Sequence, residues 1–192
     1  MQSDIMTKWG AQSNGSGWTY TDAGTGTTYD VKFDVTVQLY EGKEKNDPFI
    51  IPESWNPNNR ENFVEVGATL KDVDRSYVQG GDEGQWRGTG RGGKPLAADD
   101  PAPHEFGHLL GLDDRYTDKK GPNKGWEKNI MGDSQSGNVE QRNIDGIVGD
   151  AVKGYNKFSS DKKNTGKTYT HDNPHFRNGI RRFCKQNESN HF

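Results

Sequence analysis

Two histidines stand four residues apart in the chain, at His104 and His108, and Glu105 directly follows the first. A helical turn takes about 3.6 residues, so this spacing places both imidazoles on one face of a helix, where they can bind one metal ion. Glu105 then lies beside that ion without having to bind it. Hydrolysis at zinc requires two nitrogen ligands, a position for water, and a carboxylate that accepts the proton of the water. The spacing therefore predicts a hydrolytic zinc site.

A catalytic zinc site also needs a third protein ligand, and the residues after His108 can supply one. Gly111 tolerates a positive φ, so it can end the helix and reverse the chain. Asp114 can then bring its carboxylate to the same ion. The alternative is a helix with two unrelated surface histidines, which the continuation to Gly111 and Asp114 disfavours.

The complete pattern H-E-x-x-H-x-x-G-x-x-D resembles the metzincin clan of zinc metallopeptidases, and within it the snapalysin-type branch, where aspartate replaces the usual third histidine. Metzincins also carry a methionine in a tight turn beneath the metal, and Asn129-Ile130-Met131-Gly132 resembles that Met-turn. The resemblance covers residues 101 to 133. It implies a Zn2+ ion held by His104, His108 and Asp114, a catalytic Glu105, and structural roles at the site for Gly111 and Met131.

The chain also departs from the metzincin pattern. Family spacing favours Asp114 as the third ligand, and the neighbouring Asp113 is a rival that would otherwise orient a histidine. Some metzincins bind the oxyanion with a tyrosine just after the Met-turn. Residues 132 to 135 offer none, and Tyr116 and Tyr155 are candidates only because they are nearby in sequence. Nor does the sequence show a convincing helix ahead of the zinc helix, where the family usually has one packed on the sheet.

Two helices are predicted around these residues. Asp99-Asp100-Pro101 indicates the start of the zinc helix, with an aspartate cap and proline at the first helical position. This helix is expected to run to Leu110 and to bury Phe106, Leu109 and Leu110. Apolar residues at helical spacing predict a C-terminal helix from about Val139 to Tyr155, with Asp145 and Asp150 in solvent.

Strands are predicted on both sides of a proline-containing segment. Trp18–Tyr20 and the strictly alternating Val31–Leu39 are expected to form a hairpin. Shorter strands are predicted at Phe63–Val66 and near Ser76–Val78. The fold expected is α+β, with a small, mostly antiparallel sheet packed on the zinc helix. The resemblance implies that a peptide substrate pairs with one of the two short strands, without indicating which.

Three further segments carry weaker signals. Prolines between Glu41 and Asn62 argue against a helix there. Gly80–Lys94 is glycine-rich and is either a plain connector or a flap on which Trp86 touches substrate. His171 and His175 repeat the four-residue spacing, but the proline between them disfavours the helix that would align them, so we predict surface histidines.

Composition limits the remaining options. The chain has 192 residues, only 28% of them hydrophobic, and 25 glycines. We expect a metallopeptidase domain at residues 17–156 with a small core, a flexible lead-in at 1–16 and a polar tail at 157–192. A net charge of −3 gives no electrostatic case for nucleic acid. Cys184, the only cysteine, excludes an internal disulfide and, in what is expected to be a helical tail, is structural or incidental. We expect neither a signal peptide nor a transmembrane segment.

The residues from Gly107 to Tyr116 are also similar to metallopeptidase toxin domains at the C-termini of bacterial Rhs-type polymorphic toxins. The function expected is a zinc-dependent endopeptidase that acts on a protein or peptide substrate. The resemblance implies secretion, or delivery into a target cell within a larger effector, with a carrier polypeptide and a cognate immunity protein as partners. The alternatives are a free secreted snapalysin-like protease and, in a different class, a catalytically silent binding module with a structural zinc.

Overall fold

A computed structural model of the chain describes residues 1–37, 62–67, 76–79, 83–87, 101–117, 119–167, 169–171 and 182–184. Within these ranges the fold is α+β, with three α-helices and short strands in four small sheets. Every strand pair except β3–β5 is antiparallel. The expected α+β class is therefore confirmed. None of the helices in these ranges is long and apolar enough to cross a membrane.

Helix α1 spans Gln2–Trp9, where the sequence predicts a flexible lead-in. That prediction is wrong because Ile5 and Trp9, one helical turn apart, are both fully buried. The other residues of α1 are mostly polar and form the exposed face of an amphipathic helix. The polar composition of the segment alone therefore does not reveal its buried face. The chain thus has a helix ahead of the one that carries His104 and His108, and the two helices contact each other.

Strands β1 (Trp18–Thr21) and β2 (Thr28–Val31) form the predicted antiparallel hairpin, with Trp18 opposite Val31. The turn between them is closed by Asp22, whose carboxylate accepts hydrogen bonds from the Gly24 N–H and the Thr25 hydroxyl. The hydrogen bonds from Thr25 and Gly24 lower the pKa of Asp22, and they outweigh burial, which raises it. The residues between β1 and β2 therefore form the turn that their sequence predicts.

The predicted strand Val31–Leu39 is wrong beyond Val31. Residues 32–37 belong to no strand, and Leu39 lies outside the described residues. The alternation in burial nevertheless continues, because Phe33 and Val35 pack against the core while their neighbours are more exposed. An extended chain with one face on a core shows a period of two whether or not its backbone pairs with a neighbour.

A second sheet contains β3 (Phe63–Gly67), β4 (Tyr77–Gln79) and β5 (Glu83–Arg87) in the order β3-β5-β4. β5 is parallel to β3 and antiparallel to β4. The sequence predicts β3 and β4 but not β5, which lies in the expected loop Gly80–Lys94. The flap hypothesis is wrong for Trp86, which is 4% exposed and belongs to the core. The proline-containing segment between Glu41 and Asn62 lies, apart from Asn62, outside the described residues.

Helix α2 spans Ala102–Leu109 and carries both histidines of the motif. Pro101 is its N-cap residue rather than its first helical residue, and Asp99-Asp100 lie outside the described residues. The predicted buried face is confirmed, since Phe106, Leu109 and Leu110 are at most 9% exposed.

Helix α3 spans Gln141–Ser160 and confirms the predicted C-terminal helix, which extends past Tyr155. Its apolar face is buried, and Asp145 and Asp150 are exposed as predicted. The α3 helix packs on the β1–β2 hairpin: Gln141 donates to the Thr19 carbonyl at 2.5 Å, and Asn156 donates to Asp22 at 2.9 Å. These bonds attach the two ends of α3 to the same hairpin.

Two small antiparallel pairs complete the described chain. β6 (Tyr116–Thr117) pairs with β7 (Gly121–Pro122), and β8 (Tyr169–His171) pairs with β9 (Arg182–Cys184). A short 3-10 helix at Lys162–Asn164 follows α3. Cys184 therefore ends a strand, and the expectation of a helical tail around it is wrong.

The core is built around Trp9. Its ring makes edge-on contacts with Phe33 and Phe106, both with ring centroids 5.6 Å away. Its indole N–H donates to the Pro103 carbonyl at 2.8 Å, and its own carbonyl accepts the indole N–H of Trp18 at 2.6 Å. One buried tryptophan thus joins α1, the β1–β2 hairpin and α2, and it supports α2 from the side of the core.

Candidate metal centre

The two histidines of α2 point to the same place. Their Nε2 atoms are 3.2 Å apart, and their ring planes are nearly perpendicular, with centroids separated by 4.8 Å. His104 is buried and His108 is partly exposed. The helical spacing predicted from the sequence therefore brings both ring nitrogens together.

Gly111 ends α2 in the way the sequence predicts. Its φ is +91°, in the left-handed region that favours glycine. The Gly111 N–H donates to the His108 carbonyl at 2.8 Å and the Leu112 N–H donates to the Gly107 carbonyl at 3.0 Å. These two bonds make a Schellman motif, which reverses the chain at the helix end. The reversal returns Asp114 to the histidines.

Asp114 completes a triangle of donor atoms. Its Oδ1 lies 3.2 Å from His104 Nε2 and 3.3 Å from His108 Nε2. Two ligand atoms of a tetrahedral zinc ion, each roughly 2.0–2.1 Å from the metal, stand about 3.3–3.4 Å apart. The three donors therefore fit three corners of that tetrahedron, and the group could hold a metal ion. Asp113, the rival third ligand, is exposed and is not in this group.

Backbone carbonyls set the orientation of both imidazoles. His104 Nδ1 lies 2.8 Å from the Ile130 carbonyl, and His108 Nδ1 lies 2.7 Å from the Leu112 carbonyl. A carbonyl oxygen can only accept, so Nδ1 must carry the proton in each ring. Each neutral imidazole then presents a bare Nε2 to the centre of the triangle, which is the form that binds a metal.

The charges around His108 favour a cation at this point. Burial lowers the pKa of His108, but the hydrogen bond with Asp114, the charge of Glu105 and the Leu112 carbonyl together raise it above its ordinary value. Burial raises the pKa of Asp114, and the hydrogen bonds with His104 and His108 outweigh this and hold it well below its usual range. Two nitrogen lone pairs and a carboxylate in contact repel one another unless a proton or a metal ion lies between them.

Glu105 lies in the buried part of α2, with 4% of its surface exposed. Helical geometry places it about 80° around the axis from the midpoint of the two histidines, so it flanks them. Its charge is one of the contributions that raise the pKa of His108, after the hydrogen bond with Asp114. The sequence expects a carboxylate beside the metal group, and the structure has one there.

Met131 lies on the other flank of α2, against Gly107. A Cβ added to Gly107 would overlap the Met131 sulfur and stand 3.2 Å from both Met131 Cε and Trp9 Cζ2. Met131 itself is 1% exposed. The thioether thus packs against α2 at Gly107, and only glycine at this position permits the contact.

Three residues that support the metal centre are not predicted from the sequence: Trp9, Gly107 and Asn143. Gly107 is one of the two unspecified residues inside H-E-x-x-H, and nothing in the pattern marks it. Trp9 lies far from the motif in a segment of polar composition. Asn143 did leave a signal, because it stands four residues before Ile147 and hence on the apolar face predicted for α3. A polar residue on a buried face indicates a specific hydrogen-bond partner.

The two tyrosine candidates are separated by the structure. The Tyr116 ring lies beside His104, with centroids 5.9 Å apart. Tyr155 lies on α3 next to Asn156, which binds the β1–β2 turn. Of the two, Tyr116 is the one at the metal group.

The second histidine pair does not reproduce the first. His171 ends strand β8, and His175 lies outside the described residues. The helical alignment that joins His104 to His108 is therefore not present at His171.

Comparison with models of known protein families, with curated proteins and with solved structures finds no match to this chain. The chemistry of the centre rests on its own geometry.

Proposed function

We propose that the protein is a zinc-dependent endopeptidase of metzincin type. The observation that carries this proposal is the triangle formed by two bare imidazole nitrogens and one carboxylate oxygen, 3.2 to 3.3 Å apart, with Glu105 beside it. Zinc is the metal that prefers nitrogen and carboxylate ligands in tetrahedral geometry. The Schellman turn at Gly111 and the packing of Met131 against α2 support the resemblance to metzincins.

The residues divide the work between them. His104 and His108 would hold the metal through Nε2, and Asp114 would hold it through Oδ1. Zinc bound there supplies Lewis acidity, which polarises a peptide carbonyl and activates water near neutral pH. Glu105 accepts the proton from the attacking water and delivers it to the leaving amine. Tyr116, beside His104, donates a hydrogen bond to the carbonyl oxygen as negative charge develops on it.

Strand β4 is the better candidate for the strand that pairs with substrate. Both β3 and β4 are at the edges of the described three-stranded sheet, and β4 packs against α2. Among the described strands, the outer edge of β4 has no neighbour, and a peptide added there would extend the sheet next to the helix that carries Glu105. β3 lies on the far side of β5. Residues 77–79 therefore become the docking segment in this proposal.

A binding module with a structural zinc is the alternative from a different class. Structural zinc sites close all four positions with protein ligands. The described residues supply three donors here, and Asp114 is 38% exposed, so the group is open to solvent on one side. A purely structural zinc site also has no use for a general base, the role that Glu105 can fill beside the histidines. Both features favour catalysis.

The biological setting rests on the resemblance of residues 107–116 to polymorphic-toxin peptidases. We propose that the domain acts as a bacterial toxin or effector delivered by a larger carrier, rather than as a free snapalysin-like protease. Inducible expression in the bacterial cytosol tests this. Toxicity that Glu105→Gln abolishes supports the toxin setting, whereas harmless expression of an active enzyme favours the free protease.

Metal content and cleavage, measured on the same samples, test the enzymatic proposal. Glu105→Gln should keep one zinc ion per chain and lower the rate of casein cleavage about 10²–10⁴-fold, the range for a general base. Asp114→Ala should weaken zinc binding more than about 100-fold, beyond the effect of groups that only orient a ligand. Asp113→Ala, the adjacent exposed aspartate, is the matched control and should bind zinc as the wild type does. Equal rates for Glu105→Gln and wild type would exclude the mechanism.

A further inference from the structure

The buried face of α3 carries one polar residue, Asn143, which is 1% exposed. Its side chain meets the equally buried Asn129 at the start of the Met-turn. Asn129 Nδ2 donates to Asn143 Oδ1 at 2.7 Å, and Asn143 Nδ2 donates to Asn129 Oδ1 at 3.2 Å. Such a reciprocal pair adds little net stability but fixes orientation strongly, because any other arrangement leaves buried polar atoms without partners.

The amide of Asn129 in turn fixes one peptide group of the Met-turn. Asn129 Oδ1 accepts a hydrogen bond from the Met131 N–H at 2.9 Å. That N–H belongs to the same peptide group as the Ile130 carbonyl, which accepts the proton on His104 Nδ1 at 2.8 Å. The peptide group is planar and trans, so its N–H and C=O point in opposite directions. Holding the N–H on one side therefore sets the direction of the carbonyl on the other.

We infer that Asn143 is a positioning residue for the metal centre. Through Asn129 and the Ile130–Met131 peptide group, it holds His104 with the proton on Nδ1 and the bare Nε2 facing His108 and Asp114. Each hydrogen bond in the series polarises the next, so the carbonyl accepts more strongly than an isolated one. The part of this inference that concerns zinc rests on the proposed function. The part that concerns the orientation of His104 stands on the metal-free geometry.

The rest of α3 connects this series to the fold. Asn143 Oδ1 also accepts the Glu140 N–H at 2.9 Å, which fixes the Asn143 side chain at the first turn of the helix. The same turn is attached to the β1–β2 hairpin by the bond from Gln141 to the Thr19 carbonyl. The orientation of a ligand on α2 thus depends on a helix more than thirty residues further along the chain.

The tautomer of His104 tests the inference without metal. In metal-free wild type at about pH 9, nitrogen NMR should place the His104 proton on Nδ1. In Asn143→Ala we expect a mixture in which a large fraction carries the proton on Nε2, because the carbonyl no longer has a fixed direction. Val152→Ala is the matched control: it truncates another fully buried side chain of α3 far from Asn129 and should keep the wild-type tautomer.

Metal affinity provides the second readout. Chelator competition should show zinc binding about tenfold weaker in Asn143→Ala, at the lower end of the effect of groups that orient a ligand. The absorption bands of bound Co2+ should shift, whereas Val152→Ala should bind zinc within about twofold of wild type. If Asn143→Ala does not fold, Asn143→Ser replaces it, and we expect a smaller loss because its hydroxyl retains one hydrogen bond.

The outcomes separate the two proposals. A folded Asn143 variant with the wild-type tautomer and wild-type zinc affinity contradicts the inference, and so does an equal loss in Val152→Ala. A wild-type protein with the Nδ1 tautomer that binds no zinc contradicts the proposed function while supporting the positioning of His104.

Discussion

The groups that would bind the metal and the groups that hold them in place come from different parts of the chain. His104, Glu105, His108 and Asp114 all lie within eleven consecutive residues. Their supports come from α1, the Met-turn and α3, which are separated by as many as 134 residues in sequence, from Trp9 to Asn143. The ligands therefore depend on local geometry, and the accuracy of that geometry depends on the tertiary fold.

The difference predicts two kinds of mutational effect. Removal of a ligand deletes a bond to the metal and should abolish zinc binding almost completely. Removal of a support leaves every ligand present but lowers the precision or the stability of the site. Such a change should weaken zinc binding or folding only in part. We therefore expect ligand substitutions to have larger effects on zinc binding and cleavage than support substitutions. A support substitution with an effect as large as that of a ligand substitution would contradict this division.

The largest effect is expected for His104→Ala. Two donors remain, which is too few for a catalytic zinc site, so zinc binding and peptide cleavage should both be lost. Added zinc should raise the melting temperature of the wild type and leave that of the variant unchanged, since only bound metal stabilises the fold. Thermal unfolding with and without zinc measures this. A variant that zinc still stabilises would show that the ligands lie elsewhere.

Tyr116→Phe should lower kcat for peptide cleavage about 100-fold, the effect typical of losing one donor to the developing oxyanion. KM and zinc content should remain close to the wild-type values. Tyr155→Phe is the matched control and should cleave at the wild-type rate, because its position on α3 is away from the metal group. If Tyr155→Phe has the greater effect, the assignment of these tyrosines is reversed.

Gly107→Ala introduces a methyl group where Met131 and Trp9 already touch the helix. We expect a net destabilisation of about 1–2 kcal/mol, since the cost of overpacking exceeds the gain in helix propensity. Zinc binding should weaken as α2 is displaced. In the control, Gly146→Ala, the new Cβ would meet, among the described residues, only Leu112, at 3.7 Å, and should stabilise α3 by about 0.5–1 kcal/mol. Urea unfolding distinguishes these opposite signs.

Trp9→Phe removes the hydrogen bond to the Pro103 carbonyl and part of the core beneath α2. We expect the free energy of unfolding to fall by about 2 kcal/mol, with zinc affinity of the folded protein within threefold of wild type. Trp126→Phe, at a partly exposed site, should cost less than about 1 kcal/mol. A large loss of zinc affinity in folded Trp9→Phe would place α1 among the groups that orient the ligands.

His171→Ala should have the smallest effect. His171 ends a strand and lacks the helical alignment of the motif histidines. Zinc stoichiometry should stay at one per chain, and cleavage should remain at the wild-type rate. Loss of a zinc ion in this variant would reveal a second metal site.

The sequence could indicate the ligands because helical spacing and one glycine determine their arrangement locally. The pattern from His104 to Asp114 requires only a helix and a left-handed residue, and Gly111 adopts the positive φ that its type allows. The hairpin around Asp22 and the apolar face of α3 are likewise local patterns. These elements are predictable for the same physical reason: each is determined by residues that are close together in the chain.

Supports that act across the fold could not be predicted in this way. Trp9 is one apolar residue in a polar segment, and its importance comes from Phe33, Pro103 and Phe106, which only folding brings to it. Trp86 similarly lies in a glycine-rich segment whose composition predicts a loop, yet it is buried and lies in a strand. Pairing of β5 with a strand some twenty residues earlier leaves no periodic trace in the sequence.

Peptide cleavage by the zinc-loaded protein would produce new peptide termini, which can be identified by sequencing. The wild type and Glu105→Gln, each with one zinc ion per chain, would be incubated with a peptide library prepared from a proteome. We predict a set of new N-termini with a shared sequence preference for the wild type, reduced at least about 100-fold for Glu105→Gln. Equal termini in the two samples, or none in either, would contradict this prediction.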